Sequence, residues 1–247
     1  MRSKFCLLIV VMALVLASCQ KDPEPEPTPD PATTIHFSVL GDSFSAMEGT
    51  VYPDSNDVWY IHESTNTTDV TQTEQMWWYQ VAKQMGWVLD KNNSFSGSLI
   101  SNFWGYNAGP YYAPHSFIRR MDHLGNPDVI LVLGGTNDVW SGAYFGDYIY
   151  ADWTEQQLEE YRPALAYLFD GLKRYYPNAK IYFLVDMYLS DYDPNGQRFV
   201  NSVHTIARHY QIDCIDLYDI QKQYAHPSSE GMTTIANQVV TALRQSY

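Results

Sequence analysis

The sequence is poor in positive charge. Its 247 residues include 15 lysines and arginines against 28 aspartates and glutamates, which gives a formal net charge of −13. Because nucleic acids and anionic lipid surfaces are bound largely through lysine and arginine, this balance disfavours both as partners. The sequence also has no His-Glu-x-x-His, no paired Cys-x-x-Cys and no glycine-rich phosphate loop. We therefore expect neither a metal ion nor a nucleotide cofactor.

Cysteine is scarce as well, with three in the chain. Two of them, Cys6 and Cys19, lie in an N-terminal segment whose positively charged start and apolar stretch over residues 7–16 are typical of a targeting sequence. The apolar stretch is too short to span a membrane comfortably. Leu16-Ala17-Ser18-Cys19 resembles the lipobox of bacterial lipoproteins, which implies cleavage before Cys19 and lipidation of its thiol. A plain secretory signal is the alternative.

The N-terminal composition divides the chain into three parts. We expect residues 1–18 to be a lipoprotein signal peptide, and residues 19–33 to be the lipidated Cys19 and a tether rich in proline and acid. Alternating proline and acid cannot form a helix or join a sheet, so the tether is expected to be extended. Residues 34–247 suit one α/β domain. The protein is then expected to be extracytoplasmic, anchored by lipid alone at the outer membrane or cell surface.

Removal of Cys6 and lipidation of Cys19 leave one thiol in the domain, Cys214. No intrachain disulfide is then possible, so the fold must depend on packing. Cys214 lies in the apolar segment 212–215 and is predicted to be a small buried side chain rather than a nucleophile.

Short apolar runs rich in β-branched residues alternate with helical patterns in the domain. The predicted strands are 35–40, 129–133, 181–185 and 212–217, and the predicted helices are 72–85, 154–176, 197–210 and 232–245. Thr154 and Gln157 resemble a capping box at the start of the second helix. This alternation predicts a single three-layer α/β/α domain with a mostly parallel sheet. Residues 47–69 and 103–116 lack periodicity and are predicted to be loops that shape substrate access.

The first predicted strand ends in Gly41-Asp42-Ser43. Ligands bind beyond the carboxyl ends of strands in open α/β sheets, so Ser43 is a candidate nucleophile, although the same triplet is an ordinary turn sequence. A serine hydroxyl needs a base to take its proton, and acyl transfer needs hydrogen-bond donors for the oxyanion. Asn137 follows the strand 129–133 at the same edge and can donate from its amide, unless it only stabilises its own turn.

Seven histidines compete for the role of the base. His226 differs from the others because it lies in a loop between the last predicted strand and the last predicted helix, again at the carboxyl edge of the sheet. A loop histidine is otherwise usually a solvated surface residue. The remaining six lie on a strand, on a helix or in irregular segments with no supporting context.

Four segments, in this order, resemble the blocks of the SGNH hydrolases, also called the GDSL esterase/lipase family. They are Gly41–Ser45, Asn92–Gly97, Gly135–Asp138 and His226-Pro227, the last followed by Gly231 and a helix. The resemblance covers about residue 35 to the C-terminus and implies a flavodoxin-like SGNH hydrolase fold with no cofactor. It implies that Ser43 is the nucleophile and His226 the general base. The oxyanion hole would consist of the backbone N–H groups of Ser43 and Gly97 and the side chain of Asn137.

One position departs from the pattern of this family, which usually has an aspartate three residues before its histidine. Gln223 stands there in this chain. The aspartate orients the imidazole and stabilises its charged form, and a neutral amide can do only the first. Gln223 and Asp219 are therefore the candidate orienting groups, with Glu230 a further acid nearby. Two alternatives stay open: a backbone carbonyl orients His226, or the enzyme is slow.

Aromatic residues are abundant in the segments nearest the predicted site. They are Trp77, Trp78, Tyr79, Trp104, Tyr106, Tyr111, Tyr112, Trp140 and Tyr144. Such rings stack on sugars and also bind acyl chains, while those on the first helix are typical of a core. With the predicted location, they favour a serine esterase that removes short acyl groups, acetyl above all, from a carbohydrate. The alternatives are a weakly active or non-catalytic glycan-binding lipoprotein and a lipase or lysophospholipase type of esterase.

Overall fold

The computed structural model describes residues 34–63, 68–104, 109–192 and 195–246. The predicted signal peptide, Cys19 and the tether lie outside these residues. One sheet has the strand order β2-β1-β3-β4-β5, and every neighbouring pair in it is parallel. Its strands are β1 His36–Gly41, β2 Val88–Ser94, β3 Val129–Leu133, β4 Lys180–Asp186 and β5 Asp213–Leu217. A separate antiparallel pair consists of β6 Lys222–Gln223 and β7 His226–Pro227.

Eight α-helices connect and flank the strands in the described part of the chain. They are α1 Trp77–Met85, α2 Gly109–Tyr112, α3 Phe117–Arg120, α4 Thr136–Trp140, α5 Tyr161–Tyr175, α6 Leu189–Tyr192, α7 Gly196–Tyr210 and α8 Ser229–Leu243. No helix among the described residues combines the length and the apolar character needed to cross a membrane.

The core lies on both faces of the sheet. In β3, Val129, Leu131 and Leu133 belong to the cluster that includes α1 and α8, while Ile130 and Val132 belong to the cluster that includes α3, α5 and α7. Side chains alternate between the two faces of a strand, so a continuous apolar run is what a strand covered on both sides requires. The predicted three-layer α/β/α class with a parallel sheet is confirmed.

Strand β2 was not predicted, because its sequence Val-Leu-Asp-Lys-Asn-Asn-Ser lacks an apolar run. It lies at the edge of the sheet, where its first residue, Val88, is exposed. Its last residues are buried but polar: Asn92 donates to the Ser45 carbonyl at 3.0 Å, and Asn93 accepts from Arg120 at 2.9 Å. Tertiary hydrogen bonds thus replace the apolar contacts that sequence patterns detect.

Helix starts differ from the predictions by a few residues. The predicted capping box exists, since Thr154 N–H donates to Gln157 Oε1 at 2.8 Å and Gln157 N–H donates to Thr154 Oγ1 at 3.3 Å. It caps a short 3-10 turn at Gln157–Glu159, however, and α5 begins only at Tyr161 because Glu160 is extended. Helix α8 begins three residues earlier than predicted, where Ser228 Oγ accepts from the Gly231 N–H at 3.1 Å.

Candidate active site

Ser43 lies in the turn that follows β1, as predicted. The Ser45 N–H donates to the Asp42 carbonyl at 3.1 Å, and the Phe44 N–H donates to Asp42 Oδ1 at 2.9 Å. The turn needs glycine at Gly41, because a Cβ there would lie 2.6 Å from Ser94 Oγ. Ser43 itself is only 3 % exposed, so its hydroxyl is held in a fixed place at the carboxyl edge of the sheet.

The structure brings His226 to this serine. His226 is the first residue of β7, and its Nε2 lies 2.9 Å from Ser43 Oγ. The two residues are 183 positions apart in the chain, so the contact depends on the fold that brings the turn after β1 and the β6–β7 pair together. The distance is within the range for transfer of the hydroxyl proton to a base.

The second ring nitrogen of His226 faces the backbone. Nδ1 lies 3.0 Å from the Tyr224 carbonyl, which accepts the N–H and leaves Nε2 as the acceptor for Ser43. Tyr224 and Ala225 join β6 to β7 and have φ angles of 48° and 65°, the left-handed conformation of both central residues in a two-residue hairpin turn. This turn aims the carbonyl at the ring.

The two orienting side chains proposed from the sequence, Gln223 and Asp219, do not fill that role. Gln223 Oε1 accepts from the Asp69 N–H at 2.8 Å, so this amide is engaged with a different loop. Asp219 is exposed beyond the end of β5, and the ring nitrogens of His226 bond only to Tyr224 and Ser43 among the described residues. A backbone carbonyl, the alternative that the sequence left open, is the group that the structure places there.

Aromatic rings enclose the imidazole. Trp59 stacks on it with 3.6 Å between ring centroids and 7° between ring planes, and Phe44, Trp140 and Tyr60 approach at larger distances and steep angles. Burial lowers the pKa of His226 to about 4, although the hydrogen bond that its ring donates to the Tyr224 carbonyl opposes the shift. The ring is therefore neutral at neutral pH and able to accept a proton.

The irregular segment 47–69 holds residues 223–229, the histidine loop, in place. Its sequence did not indicate this role. Besides the Trp59 stack, the buried Tyr60 hydroxyl donates to the Pro227 carbonyl at 2.9 Å. Asp69 Oδ1 accepts from the Ser229 N–H at 2.8 Å, and Asp69 donates its own N–H to Gln223. The loop thus contacts the residues on both sides of His226. No local pattern announces such contacts, because their partners are more than 150 residues away.

Three potential donors for an oxyanion lie at the ends of neighbouring strands. Gly41 pairs with Ser94 on one side and Leu133 on the other, so the turns that follow β1, β2 and β3 meet at one edge. The N–H groups of Ser43 and Gly97 have no acceptor among the described residues. Backbone amides without an acceptor at the edge of a cleft are suited to stabilise a developing negative charge.

The local structure at Gly97 and Asn137 suits both residues to donate to an oxyanion. Gly97 has a φ of 80°, and a Cβ on it would lie 2.6 Å from the Tyr112 ring, so glycine is required for both reasons. Asn137 lies in the first turn of α4, where its Nδ2 donates to the Ser98 carbonyl at 2.9 Å. An amide nitrogen carries two protons, so this bond leaves the second one for a ligand.

A buried arginine beneath the site was missed by the sequence analysis. Arg120 donates from Nε to the His115 carbonyl, from Nη1 to the carbonyl and Oδ1 of Asn93, and from Nη2 to the Gly41 carbonyl and Ser98 Oγ. All five of its N–H groups are engaged. They tie the end of β1 to the end of β2 and to the loop that carries Gly97. In the sequence, Arg120 is one of two adjacent arginines in Phe117–Arg120, and nothing in that segment indicates this role.

Two buried carboxyl groups, Asp42 and Asp138, also hold loops of the site through hydrogen bonds. Asp138 accepts from the N–H groups of Ile100 and Ser101 and from Ser101 Oγ, at 2.7, 3.2 and 2.7 Å, which fixes the loop after β2 on α4. Burial raises the pKa of Asp138 to about 6 and that of Asp42 to about 7. Burial lowers the pKa of Arg120 to about 9, although attraction from Asp42 opposes the shift.

A cavity of about 630 Å³ opens beside the histidine. It is lined by Trp140, Tyr188, Ile220, Lys222 and Ala225. Lys222 Nζ lies 2.6 Å from Asp186 Oδ2, so the cation in its wall is neutralised. The ring of Trp140 contacts the His226 ring edge-on, with centroids 6.1 Å apart, so a molecule in this cavity would lie next to the Ser43–His226 pair.

The other aromatic residues named from the sequence have varied positions. Trp77 and Trp78 are buried in the core, Tyr79 and Tyr112 are half-buried, Trp104, Tyr111 and Tyr144 are exposed, and Tyr106 lies outside the described residues. Cys214 is half-buried and packs against the core, and burial raises the pKa of its thiol to about 12, so the thiol is protonated at neutral pH. In the described part of the chain, no group of three His, Cys, Asp or Glu side chains is arranged to hold a metal ion.

The chain resembles proteins of one family over most of its length. Residues 35–243 match the model of the GDSL-like lipase/acylhydrolase family. A GDSL-like lipase from Bacteroides ovatus ATCC 8483 is 44% identical, with a TM-score of 0.80 over 86% of this chain and 99% of that chain. A GDSL-like lipase from Bacteroides uniformis ATCC 8492 is 41% identical, with a TM-score of 0.80 over 86% of this chain and 96% of that one.

A more distant structure shares the fold. It is a family two carbohydrate esterase from Clostridium thermocellum in complex with cellohexaose, 15% identical, with a TM-score of 0.58 over 89% of this chain and 66% of that chain. Among curated proteins, no sequence matches this chain.

Proposed function

Since the chain belongs to the GDSL-like lipase/acylhydrolase family and is an ester-bond hydrolase, we propose that Ser43 is its nucleophile and His226 its general base. The observation that carries this proposal is the 2.9 Å distance between Ser43 Oγ and His226 Nε2. We propose further that the substrate is a short-chain ester, above all an acetyl ester, on a carbohydrate.

The proposed reaction has two halves. His226 Nε2 takes the hydroxyl proton of Ser43 while Oγ attacks the ester carbonyl carbon, and the carbonyl oxygen becomes an oxyanion. The N–H groups of Ser43 and Gly97 and the Asn137 amide donate to that oxyanion. The imidazolium then gives its proton to the departing alcohol and an acyl-serine remains. Water repeats the sequence with His226 as base, which releases the carboxylic acid and restores the serine hydroxyl.

The surroundings of Ser43 favour a small acyl group. Ser43 is 3 % exposed and His226 is 6 % exposed, so the reacting atoms have little contact with solvent. The cavity beside His226 is lined in part by the aromatic side chains of Trp140 and Tyr188, a composition that suits a sugar ring as the alcohol part of the ester. The resemblance to a carbohydrate esterase that binds cellohexaose supports the same substrate class.

Covalent labelling tests the proposed nucleophile. We expect a fluorophosphonate probe to label the wild-type protein and to leave Ser43→Ala unlabelled. Labelling that persists in Ser43→Ala would identify another nucleophile. Absence of labelling in the wild type would favour a glycan-binding protein on this fold over an active esterase.

A substrate survey tests the proposed ester. Acetate release from acetylated glycans is compared with hydrolysis of aryl esters of increasing acyl length. We expect acetate release from glycans and a steep loss of rate with longer aryl esters. A preference for long acyl chains, with no acetate from glycans, would support a lipase type of esterase instead.

We also propose that Cys19 carries a lipid anchor and that residues 19–33 tether the domain outside the cytoplasm. The Leu16-Ala17-Ser18-Cys19 segment supports this proposal. Metabolic labelling with a fatty-acid analogue is expected to mark the wild-type chain and not Cys19→Ala. Equal labelling of the two, or none of either, would contradict it.

A further inference from the structure

We propose that the indole of Trp59 stabilises the imidazolium form of His226 during the reaction, in place of the aspartate that the family usually has. Trp59 would act through His226 as a positioning residue, without contact with the substrate. This inference rests on the proposed roles of Ser43 and His226. It follows from the parallel placement of the indole against the imidazole and from the neutral carbonyl at Nδ1, where the family usually has a carboxylate.

The reaction creates a positive charge in a place with little to balance it. When Nε2 takes the serine proton, the buried ring becomes a cation. Nδ1 then donates to the neutral Tyr224 carbonyl rather than to a carboxylate. The positive charge of Lys222 opposes that of the ring, and Lys222 is itself paired with Asp186 at 2.6 Å. The Asp69 carboxylate accepts the Ser229 N–H instead of the ring N–H.

Among the described residues, the Trp59 indole is the ring that stacks parallel to the imidazole. The Trp59 and His226 planes are 7° from parallel with centroids 3.6 Å apart. Phe44 and Trp140 meet the same ring at 67° and 66°, with centroids 5.3 and 6.1 Å away, and Tyr60 meets it at 82° and 6.5 Å. The negative face of an indole attracts a cation within about 6 Å of its centroid, most strongly when water is excluded.

Hydrogen bonding of the indole itself does not explain this placement. Trp59 Nε1 is buried and has no partner among the described residues. Leaving a donor unsatisfied is costly, so another interaction must favour the position. The N–H groups of Trp59 and Tyr60 both donate to the Ala46 carbonyl, at 3.2 and 3.1 Å. The backbone that carries the indole is therefore fixed to the segment that directly follows Ser43.

The expected size of the effect is large enough to measure. A desolvated cation–π contact contributes about 2 kcal/mol, which corresponds to about 30-fold in rate at 1.36 kcal/mol per tenfold. Because the cation exists in the transition state and not in the resting enzyme, we expect the loss in kcat and not in KM.

The test replaces Trp59 alone with mono-, di- and trifluorinated tryptophan by site-specific incorporation. Fluorine keeps the shape of the ring and makes its face progressively less negative, so folding is preserved. We expect the logarithm of kcat for an aryl acetate to fall steadily along the series, by about 10-fold or more in total. The same series at Trp153, which packs edge-on against Tyr167, is the control and is expected to be flat.

A second readout follows the charge on the ring itself. Nitrogen NMR of His226 in the free enzyme should show its pKa falling along the Trp59 series, and a stack that only packs would leave that pKa unchanged. A flat series at Trp59, with activity that still depends on Ser43, would overturn this inference and leave the proposed function intact. If the fluorophosphonate probe does not label Ser43 in the wild-type protein, the proposed function itself is wrong.

Discussion

The Tyr224 carbonyl oxygen lies 3.0 Å from His226 Nδ1, two residues along the same hairpin. The group that orients the imidazole is therefore part of the backbone, and no substitution of a side chain removes it directly. Its direction is set by the left-handed conformations of Tyr224 and Ala225. The loop that carries Tyr60 and Asp69 holds the hairpin in place.

Replacement of Gln223 tests this arrangement. Because the Gln223 side chain bonds to the Asp69 N–H and not to the ring, we expect Gln223→Ala to keep kcat/KM within about 3-fold of the wild-type value. The free energy of unfolding should fall by about 1 kcal/mol or less, since one partly exposed hydrogen bond is lost. Steady-state kinetics and urea unfolding measure the two quantities. A loss of activity of about 100-fold or more would show that the amide orients the histidine.

The pH dependence of kcat/KM should reflect the buried histidine. Only neutral His226 accepts the serine proton, and burial lowers its pKa from 6.5 to about 4. Activity should therefore persist through about pH 5 and fall by half near pH 4, whereas a solvated histidine would lose it near pH 6.5. Acetate release at each pH measures the profile. Recovery of full activity after return to neutral pH excludes irreversible inactivation, circular dichroism at each pH detects unfolding, and an acid limb above about pH 6 would contradict the prediction.

The elements that depend on a local pattern of apolar and polar residues could be predicted from the sequence alone. Short apolar runs rich in β-branched residues marked β1, β3, β4 and β5, and the runs in β3 and β4 are nearly continuous because these two strands are covered on both faces. The residues that the four blocks carry, Ser43 and His226 among them, follow strand ends. Their meeting was predictable once the sheet was known to be parallel, since the carboxyl ends of its strands lie along one edge.

The remainder depends on contacts that no local pattern records. Strand β2 is held by hydrogen bonds of buried asparagines, and Arg120 is a buried support only because five acceptors on four residues, far apart in the chain, converge on it. Trp59 lies in a stretch without periodicity, and only the folded chain shows that it faces His226. The prediction of a side chain as the orienting group was wrong for the same reason. Position along the chain suggested Gln223, but in the folded hairpin the Tyr224 carbonyl points toward the ring.

Asn137 is expected to act mainly in the transition state. If its second amide proton binds the oxyanion, Asn137→Ala should lower kcat by about 100- to 1,000-fold and change KM little. Asn126→Ala, at an exposed position, is the control and should leave both constants unchanged. Aryl acetate kinetics measure the effect. A loss of kcat below about 5-fold would mean that the amide only supports the Ser98 carbonyl.

Tyr60 should stabilise the histidine loop through its hydroxyl. Tyr60→Phe leaves the Pro227 carbonyl without its donor, so the free energy of unfolding should fall by about 1 to 2 kcal/mol and kcat should fall with it. Tyr182→Phe is the matched control, because the Tyr182 hydroxyl is buried and has no partner among the described residues. Its removal should be neutral or stabilising. Urea unfolding compares the two variants, and equal destabilisation would contradict the role of the Tyr60 hydrogen bond.

Asp42 should make the protein less stable as pH rises. It is fully buried, its Oδ2 has no partner among the described residues, and burial raises its pKa from 3.8 to about 7. Between these two values the folded chain holds a proton that the unfolded chain has released. The free energy of unfolding contributed by Asp42 therefore falls as pH rises through this range and is constant above it.

Asp42→Asn isolates that contribution. Asparagine is a neutral group of the same shape whose oxygen still accepts from the Phe44 N–H, so its stability does not follow this titration. Asp138, with its raised pKa, adds a slope of the same sign, and His226, with its lowered pKa, adds one of opposite sign between 6.5 and about 4. Both are common to the two proteins and cancel in the difference. Urea unfolding of both proteins at several pH values measures the difference. The free energy of unfolding of Asp42→Asn should rise relative to that of the wild type from about pH 4 to about pH 7, by on the order of 3 kcal/mol. Parallel curves across this range would show that Asp42 is ionised in the folded protein throughout, and that Arg120 alone is enough to balance its charge.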